Sequence, residues 1–331
     1  MIAMSDGRIA LVVGIDNYLG TNPLSCCVSD ATAVNDLLER NGDAEHSKNF
    51  DTKLLVAGGG KVITRATLKD NVEKLFKTDA EIALFYFAGH GYIESSGGYI
   101  ITSECTRGDE GLSLRTLVDI ANGSLARNKI IILDSCFSGA AGQIPNLENH
   151  SAIADGVTIL TASRDDEMSK EIGDHGVFTN LLLDALRGSA ANLTGDITPG
   201  SVYAHIDQSL GAWEQRPIFK TNTARFVSLR KVTPPIAIEE LRRISELFPS
   251  EGYVYHLDPS YEPRDEGRTP DMPPSNPRHN AIFSILQKYN RLNLLVPVGA
   301  DHMWNAAMES TGCKLTLLGE YYRRLAHKGA I

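Results

Sequence analysis

Two uninterrupted apolar runs constrain this chain more than anything else in it. One is Ile82-Ala-Leu-Phe-Tyr-Phe-Ala88, the other Ile130-Ile-Ile-Leu133. Neither alternates with polar residues, so each reads as a strand buried on both faces, the kind found in a parallel sheet covered by helices. Such strands carry the residues after them to the carboxyl edge of the sheet, where open α/β folds keep their sites. The first run ends in Gly89-His-Gly91 and the second in Asp134-Ser-Cys-Phe-Ser-Gly139. A lone Cys or His is most often structural, because free Cys is among the most buried residue types. Two neighbouring strands ending in these motifs would set an imidazole and a thiol side by side, the minimum for a cysteine nucleophile and its general base.

These stretches resemble the two active-site motifs of caspase-fold cysteine peptidases, closest to the metacaspase and bacterial caspase-like branch. The opening Leu11-Val-Val-Gly-Ile-Asp-Asn-Tyr18 and Leu24-Ser-Cys-Cys-Val-Ser-Asp-Ala31 resemble that branch's start, so the likeness spans roughly residues 8 to 228. It implies Cys136 as nucleophile, His90 as proton carrier, and the backbone N–H groups of Gly91 and Cys136 as the oxyanion site. It also implies an acidic pocket for a substrate Arg or Lys, formed by Asp134 with Cys27 and Asp30 on the loop after the first strand. Asp134 stands two residues before the thiol, hence on the same side of a strand. Asp30 also suits a helix N-cap, and the two uses can coexist. Caspases that cut after Asp need arginines in this pocket, and neither motif holds a basic residue.

The chain departs from the family at three places. Phe137 follows the thiol where His or Tyr is common, Ala88 stands where many metacaspases have Ser, and Gln143 replaces an acid of the calcium-binding forms. Asp165, Asp166 and Glu167 are oxygen donors of the kind calcium takes, but a solvated charge run is the plainer reading, and calcium dependence is not expected. No Lys or Arg lies between Cys136 and Arg164, so self-cleavage there is not expected either; Arg164 and Lys170 remain as sites.

In chain order, strands at 9–15, 53–56, 82–88, 130–133, 156–162 and 215–220 alternate with helices at 30–40, 64–76, 112–121, 177–187 and 198–210. A hairpin is expected to turn at Ser96-Gly97-Gly98. The fold class is therefore α/β, a mostly parallel sheet flanked by helices, over a peptidase domain at 1–230. Thr233-Pro-Pro235 reads as a linker to a small α+β domain at 234–331. That domain is expected to hold helices at 236–248, 278–290 and from 301, a strand at 292–298 and a last helix through Leu325. Six of the fourteen prolines fall at 259–277, which reads as an exposed loop.

Composition narrows the class further. A net charge of −9 argues against non-specific binding of nucleic acid or anionic membranes. No apolar stretch is long enough to span a bilayer, and the first residues lack the pattern of a signal peptide. Five cysteines at no metal-like spacing fit a reducing, cytoplasmic setting. No cofactor or metal is required for the expected chemistry.

The second domain groups His302, Trp304, Tyr321, Tyr322, Arg323 and Arg324. Aromatics with arginines suit a nucleotide-type activator; the plainer reading packs the tyrosines inward and leaves the arginines in solvent. The layout is similar to bacterial antiphage effectors in which a caspase-like protease carries a C-terminal sensor. In one such group a Toll/interleukin-receptor-domain enzyme makes a cyclic ADP-ribose-type signal. Protein substrates are the other expected partners, and the oligomeric state does not follow from the sequence. The rival expectation is a caspase-fold scaffold that recruits a partner without catalysis.

Overall fold

The structure, a computed structural model, describes residues 7–135, 137–138, 153–162, 171–172, 175–211, 216–264 and 266–331. It divides into two compact units, Met1–Thr233 and Pro234–Ile331.

The first unit opens with β1 (Arg8–Ile15), α1 (Cys27–Glu39), β2 (Asp51–Ala57), α2 (Arg65–Lys77) and β3 (Ile82–Ala88). A small sheet follows, made of β4 (Gly91–Glu94), β5 (Gly97–Ile100) and β6 (Leu112–Ser113), and then α3 (Leu114–Asn122). Next come β7 (Asn128–Asp134), β8 (Phe137–Ser138), β9 (Val157–Thr161), β10 (Glu171–Ile172), β11 (His175–Gly176) and α4 (Val177–Asp184). The unit closes with β12 (Asp196–Ile197), α5 (Pro199–Ser209), β13 (Ile218–Asn222) and β14 (Arg230–Lys231). Six of these strands form one sheet in the order β13-β9-β7-β3-β1-β2. All pairs are parallel except β13 with β9, which is antiparallel at one edge.

Side chains alternate along each strand, and the core splits accordingly. Leu11, Val13, Phe85, Phe87, Ile131 and Leu133 point to the layer of α2 and α3. Ala10, Val12, Leu84, Tyr86, Ile130 and Ile132 point to the layer of α1, α4 and α5. The same parity sends Asp134, two residues beyond Ile132, toward α1 and α4. Register then lines up Gly14, Ala88 and Asp134 in one row at the carboxyl edge. Gly14 lets α1 lie close on that row: a Cβ there would press into the Cys27 carbonyl and stand 2.7 Å from Ala31 Cβ.

Local signals account for most boundaries. Thr64 caps α2 and Thr198 caps α5, whose first residue is proline. Two expectations shift. Glu94 pairs with Gly97, so the hairpin turns at Ser95-Ser96, one step earlier than expected. Leu112 and Ser113 form β6, because the Ser113 hydroxyl accepts from Thr116 N–H and starts α3 only after it.

β14 is pinned by a buried arginine. Arg230 Nε donates to the carbonyls of Leu37 and Arg40, each at 2.9 Å, and Nη1 donates to that of Leu186 at 2.7 Å. The charge thus sits among the last carbonyls of α1, where the helix dipole favours a cation. Arg230→Ala is expected to lower unfolding free energy by about 2–3 kcal/mol, since hydrogen bonds from charged donors are worth roughly 1.5–3 kcal/mol. Urea unfolding measures it. Arg230→Lys should recover only part, and an unshifted midpoint for Arg230→Ala would show that the arginine ties nothing down.

The second unit comprises α6 (Ile238–Arg242), α7 (Ile244–Leu247), β15 (Val254–His256), α8 (Pro277–Arg291), β16 (Leu295–Val298), α9 (Met303–Met308), β17 (Gly312–Leu315) and α10 (Leu317–His327). Its sheet is antiparallel in the order β15-β17-β16. The expected single helix at 236–248 is two short ones. The proline-rich stretch is corrected at its start: Pro259, Ser260, Tyr261 and Glu262 are buried, with Tyr261 stacked on His279, and exposure begins after them. No helix among the described residues is long and apolar enough to cross a membrane.

Candidate active site

Among the described residues, the carboxyl edge of β1, β3 and β7 brings together His90, Gly91, Cys27, Asp30 and Asp134. His90 follows β3 after one residue, Gly89. Its N–H donates to Tyr18 Oη at 2.8 Å, and its ring lies 4.7 Å from the Tyr18 ring. Tyr18 Oη donates in turn to the Ile15 carbonyl at 3.0 Å. His90 Nε2 is 2.8 Å from the Asn22 carbonyl oxygen. A carbonyl only accepts, so Nε2 carries a proton and the neutral ring keeps Nδ1 as its acceptor. Burial raises the Tyr18 hydroxyl well above the usual tyrosine range, so it stays protonated.

Cys136 lies outside the described residues, as do Gln143, Arg164, Asp165, Asp166, Glu167 and Lys170. The neighbours of Cys136 in the chain are described. Ser135 is buried, and Phe137 pairs with Gly91 where β8 runs parallel to β4. Gly91 is buried at the start of β4, and Gly89 N–H donates to the Asp134 carbonyl at 3.2 Å. The segments that follow β3 and β7 therefore stay joined beyond the main sheet.

Asp30, Asp134 and Cys27 come together. Cys27 and Asp30 lie on the first turn of α1, which corrects the expectation of a loop. Asp30 is inside the helix and is not its cap; the residue before the helix is Cys26. The capping acceptor is Asp16, whose Oδ1 receives the N–H of Cys27 at 2.9 Å and of Val28 at 3.3 Å. Asp30 is 3% exposed. A Cβ on Gly176 would stand 3.7 Å from Asp30 Oδ2 and 4.0 Å from Asp134 Oδ2, so both carboxylates converge on one point.

The surroundings of Asp134 set its charge. Thr179 Oγ1 donates to Asp134 Oδ2, Tyr86 Oη is 3.5 Å from the same oxygen, and Tyr86 and Thr179 share a hydrogen bond of 2.7 Å. Desolvation by burial, with Asp30 nearby adding to it, pushes the Asp134 carboxyl up to about 7 against the pull of those bonds. Burial and the neighbouring acids push the Cys27 thiol up too, leaving it a neutral wall. Two ionised carboxylates converging in a largely buried cleft attract a cation, and a planar guanidinium can meet both.

Sequence reading missed Asp16, Tyr18, Tyr86, Thr179 and His175. His175 Nδ1 lies 2.7 Å from Asp30 Oδ1. The signal for Asp16 was present, an acid ahead of a helix, but the cap works across ten intervening residues. Tyr86 and Thr179 read as ordinary core.

In the second unit the expected ligand residues fall on two helices, Trp304 on α9 and the others on α10, with His302 just before α9. Trp304 borders a cleft of about 390 Å³ with Glu262, Pro263, Arg264, Glu266 and Gln287. Tyr321, Tyr322, Arg323 and Arg324 are on α10 and do not line it. Tyr322 is buried, Tyr321 and Arg324 are exposed, and Arg323 Nε is held by Glu320 Oε2 at 2.6 Å. Among the described residues no group of His, Cys, Asp and Glu could hold a metal ion.

Comparisons place this geometry in context. A family model described as the caspase domain matches residues 7–227. Among solved structures, a crystal structure of a Geobacter sulfurreducens protein, a structural-genomics target, aligns with a TM-score of 0.51. It covers 69% of this chain and 100% of that chain at 17% identity, a likeness of fold. No curated protein matches the chain.

Proposed function

The chain belongs to the caspase-domain family, and on that premise we propose that it is a cysteine endopeptidase cleaving after Arg or Lys. The observation that carries the specificity is the convergence of Asp30 and Asp134 on one point under α1 and α4, at the sheet edge that also carries His90. In this reading Cys136 Sγ attacks the scissile carbonyl carbon, and His90 Nδ1 takes the thiol proton. The ring then gives that proton to the leaving amine, and water releases the acyl group from sulfur. The Gly91 and Cys136 N–H groups receive the oxyanion. The residue before the cut reaches the carboxylate pair, and the aliphatic stem of Arg or Lys passes Cys27.

The second unit enters the same reading as a gate that answers a nucleotide-type signal, in a bacterial antiphage setting. Fluorogenic peptides ending in Arg, Lys or Asp test both parts, with and without cyclic nucleotides and ADP-ribose derivatives. Cleavage after Arg or Lys that is lost in Cys136→Ala is the expected result. Cleavage after Asp would remove the carboxylate pair from the specificity pocket. Peptide cleavage unaffected by every added ligand would remove the gate as stated and leave the peptidase.

A further inference from the structure

The short strand that closes over the carboxylate pair brings a cation-forming side chain with it. His175 and Asp30 are 145 residues apart, and their Nδ1 and Oδ1 atoms are 2.7 Å apart. The Asp30 side chain is 4% exposed and that of His175 21%, so this contact is largely sealed from water while the imidazole keeps an outlet. β11 is held on two sides. Ile172 and His175 pair in the β10–β11 ribbon, and Asn180 Nδ2 on α4 donates to the His175 carbonyl at 3.2 Å. Gly176 follows, and its lack of a side chain leaves room next to both carboxylates.

We propose that His175 is a specificity-determining residue of the Arg/Lys pocket, a resident partner that occupies Asp30 until the substrate's cation displaces it. The inference rests on the reading of Asp30 and Asp134 as that pocket. Unlike Ala or Gln, a histidine can take up a proton and carry a positive charge. Charged, it forms a close ion pair with the Asp30 carboxylate; neutral, it can offer that carboxylate only a hydrogen bond. An incoming guanidinium is planar, permanently charged and able to bond two carboxylates at once, whereas an ammonium is a single point of charge. Arg therefore displaces the imidazole more readily than Lys.

Other groups face the same spot and must be separated from it. Asp30 and Cys27 come from α1, Asp134 from β7 and Tyr86 from β3, while α4 presents Thr179 and Asn180. Glu171 of β10 pairs by backbone with Gly176. Protonation of Asp134 also weakens cation binding at low pH, in every variant that keeps Asp134. The informative quantity is thus the ratio between wild type and a His175 variant at each pH.

Benzamidine, an amidinium probe, can be titrated by calorimetry into the full-length protein at pH 8 and pH 5.5. Wild type, His175→Ala and His175→Gln are compared, and KM is measured for Arg and Lys peptides. The Gln variant keeps a donor for Asp30 without a titrating charge, and it serves where Ala does not fold. The ratio of wild-type Kd to variant Kd is expected to rise about tenfold from pH 8 to pH 5.5, equivalent to 1.4 kcal/mol. The Arg-over-Lys preference in KM should narrow in both variants at pH 5.5. Benzamidine binding with a ratio that stays flat overturns the role of His175 and leaves the pocket standing. Absence of benzamidine binding at both pH values overturns the pocket, and this inference with it.

Discussion

His90→Ala is expected to reduce peptide cleavage by about 10³–10⁴-fold, the upper part of what a positioned acid–base group contributes. The size follows from how the ring is held. Its Nε2 is committed to the Asn22 carbonyl, its backbone N–H to Tyr18, and its face to the Tyr18 ring. Only Nδ1 is left to take up a proton. Single-turnover measurements with an Arg peptide would separate the chemical step from binding. The loss should lie in that step, with substrate binding nearly unchanged. Activity within threefold of wild type would mean the proton travels by another group.

Asp134→Asn is expected to move activity and stability in opposite directions. Truncating one member of a buried charge pair costs roughly 2–5 kcal/mol, so kcat/KM for Arg substrates should fall about 10²–10³-fold. The wild-type value should rise with pH through about 7, because only the ionised carboxyl draws the guanidinium, and the variant should lose the part of that rise that Asp134 supplies. Stability runs the other way. The folded carboxyl titrates at about 7, above its unfolded value, so its contribution is full below about pH 4. That contribution is lost as pH rises through 7. At pH 8 burying the charge costs at most about 4 kcal/mol, and the uncharged amide escapes this. Thermal melts at pH 8 should therefore show the variant more stable than wild type, with the difference gone near pH 4. A variant less stable at pH 8 would mean that Thr179 and Tyr86 compensate the carboxylate fully.

The elements that the sequence makes plain are those whose residues obey one rule along their length. β1, β3 and β7 are mostly apolar runs with no alternation, and the parallel sheet follows from them. α2 and α5 announce themselves by Thr64 and by Thr198-Pro199. β15 and β17 of the second unit were hidden, being three and four residues long with charged or aromatic members. At the site, the strand-end motifs pointed to His90 and Asp134, and parity along β7 explains why the acid faces α1. Other partners came from far away. His175 sits at the end of a charged stretch with nothing local to mark it. Asp16 caps a helix it does not adjoin, and the Tyr86–Thr179 pair is visible only once α4 packs on β3.

The row of Gly14, Ala88 and Asp134 also has a kinetic meaning. Parallel neighbours cannot be joined by a tight turn, so each pairing along that row waits for a long crossover to be laid down. Asp30 must meet residues from β7 and from β11, so loops of more than a hundred residues close before the pocket exists. Topologies of such high contact order fold slowly. The pocket is then among the last features to form as the polypeptide leaves the ribosome. A fragment ending before His175 would carry both strand-end motifs and still lack the Asp30–His175 contact. Synthesis itself thus delays the completion of this site until the sheet and its α4 cover are in place.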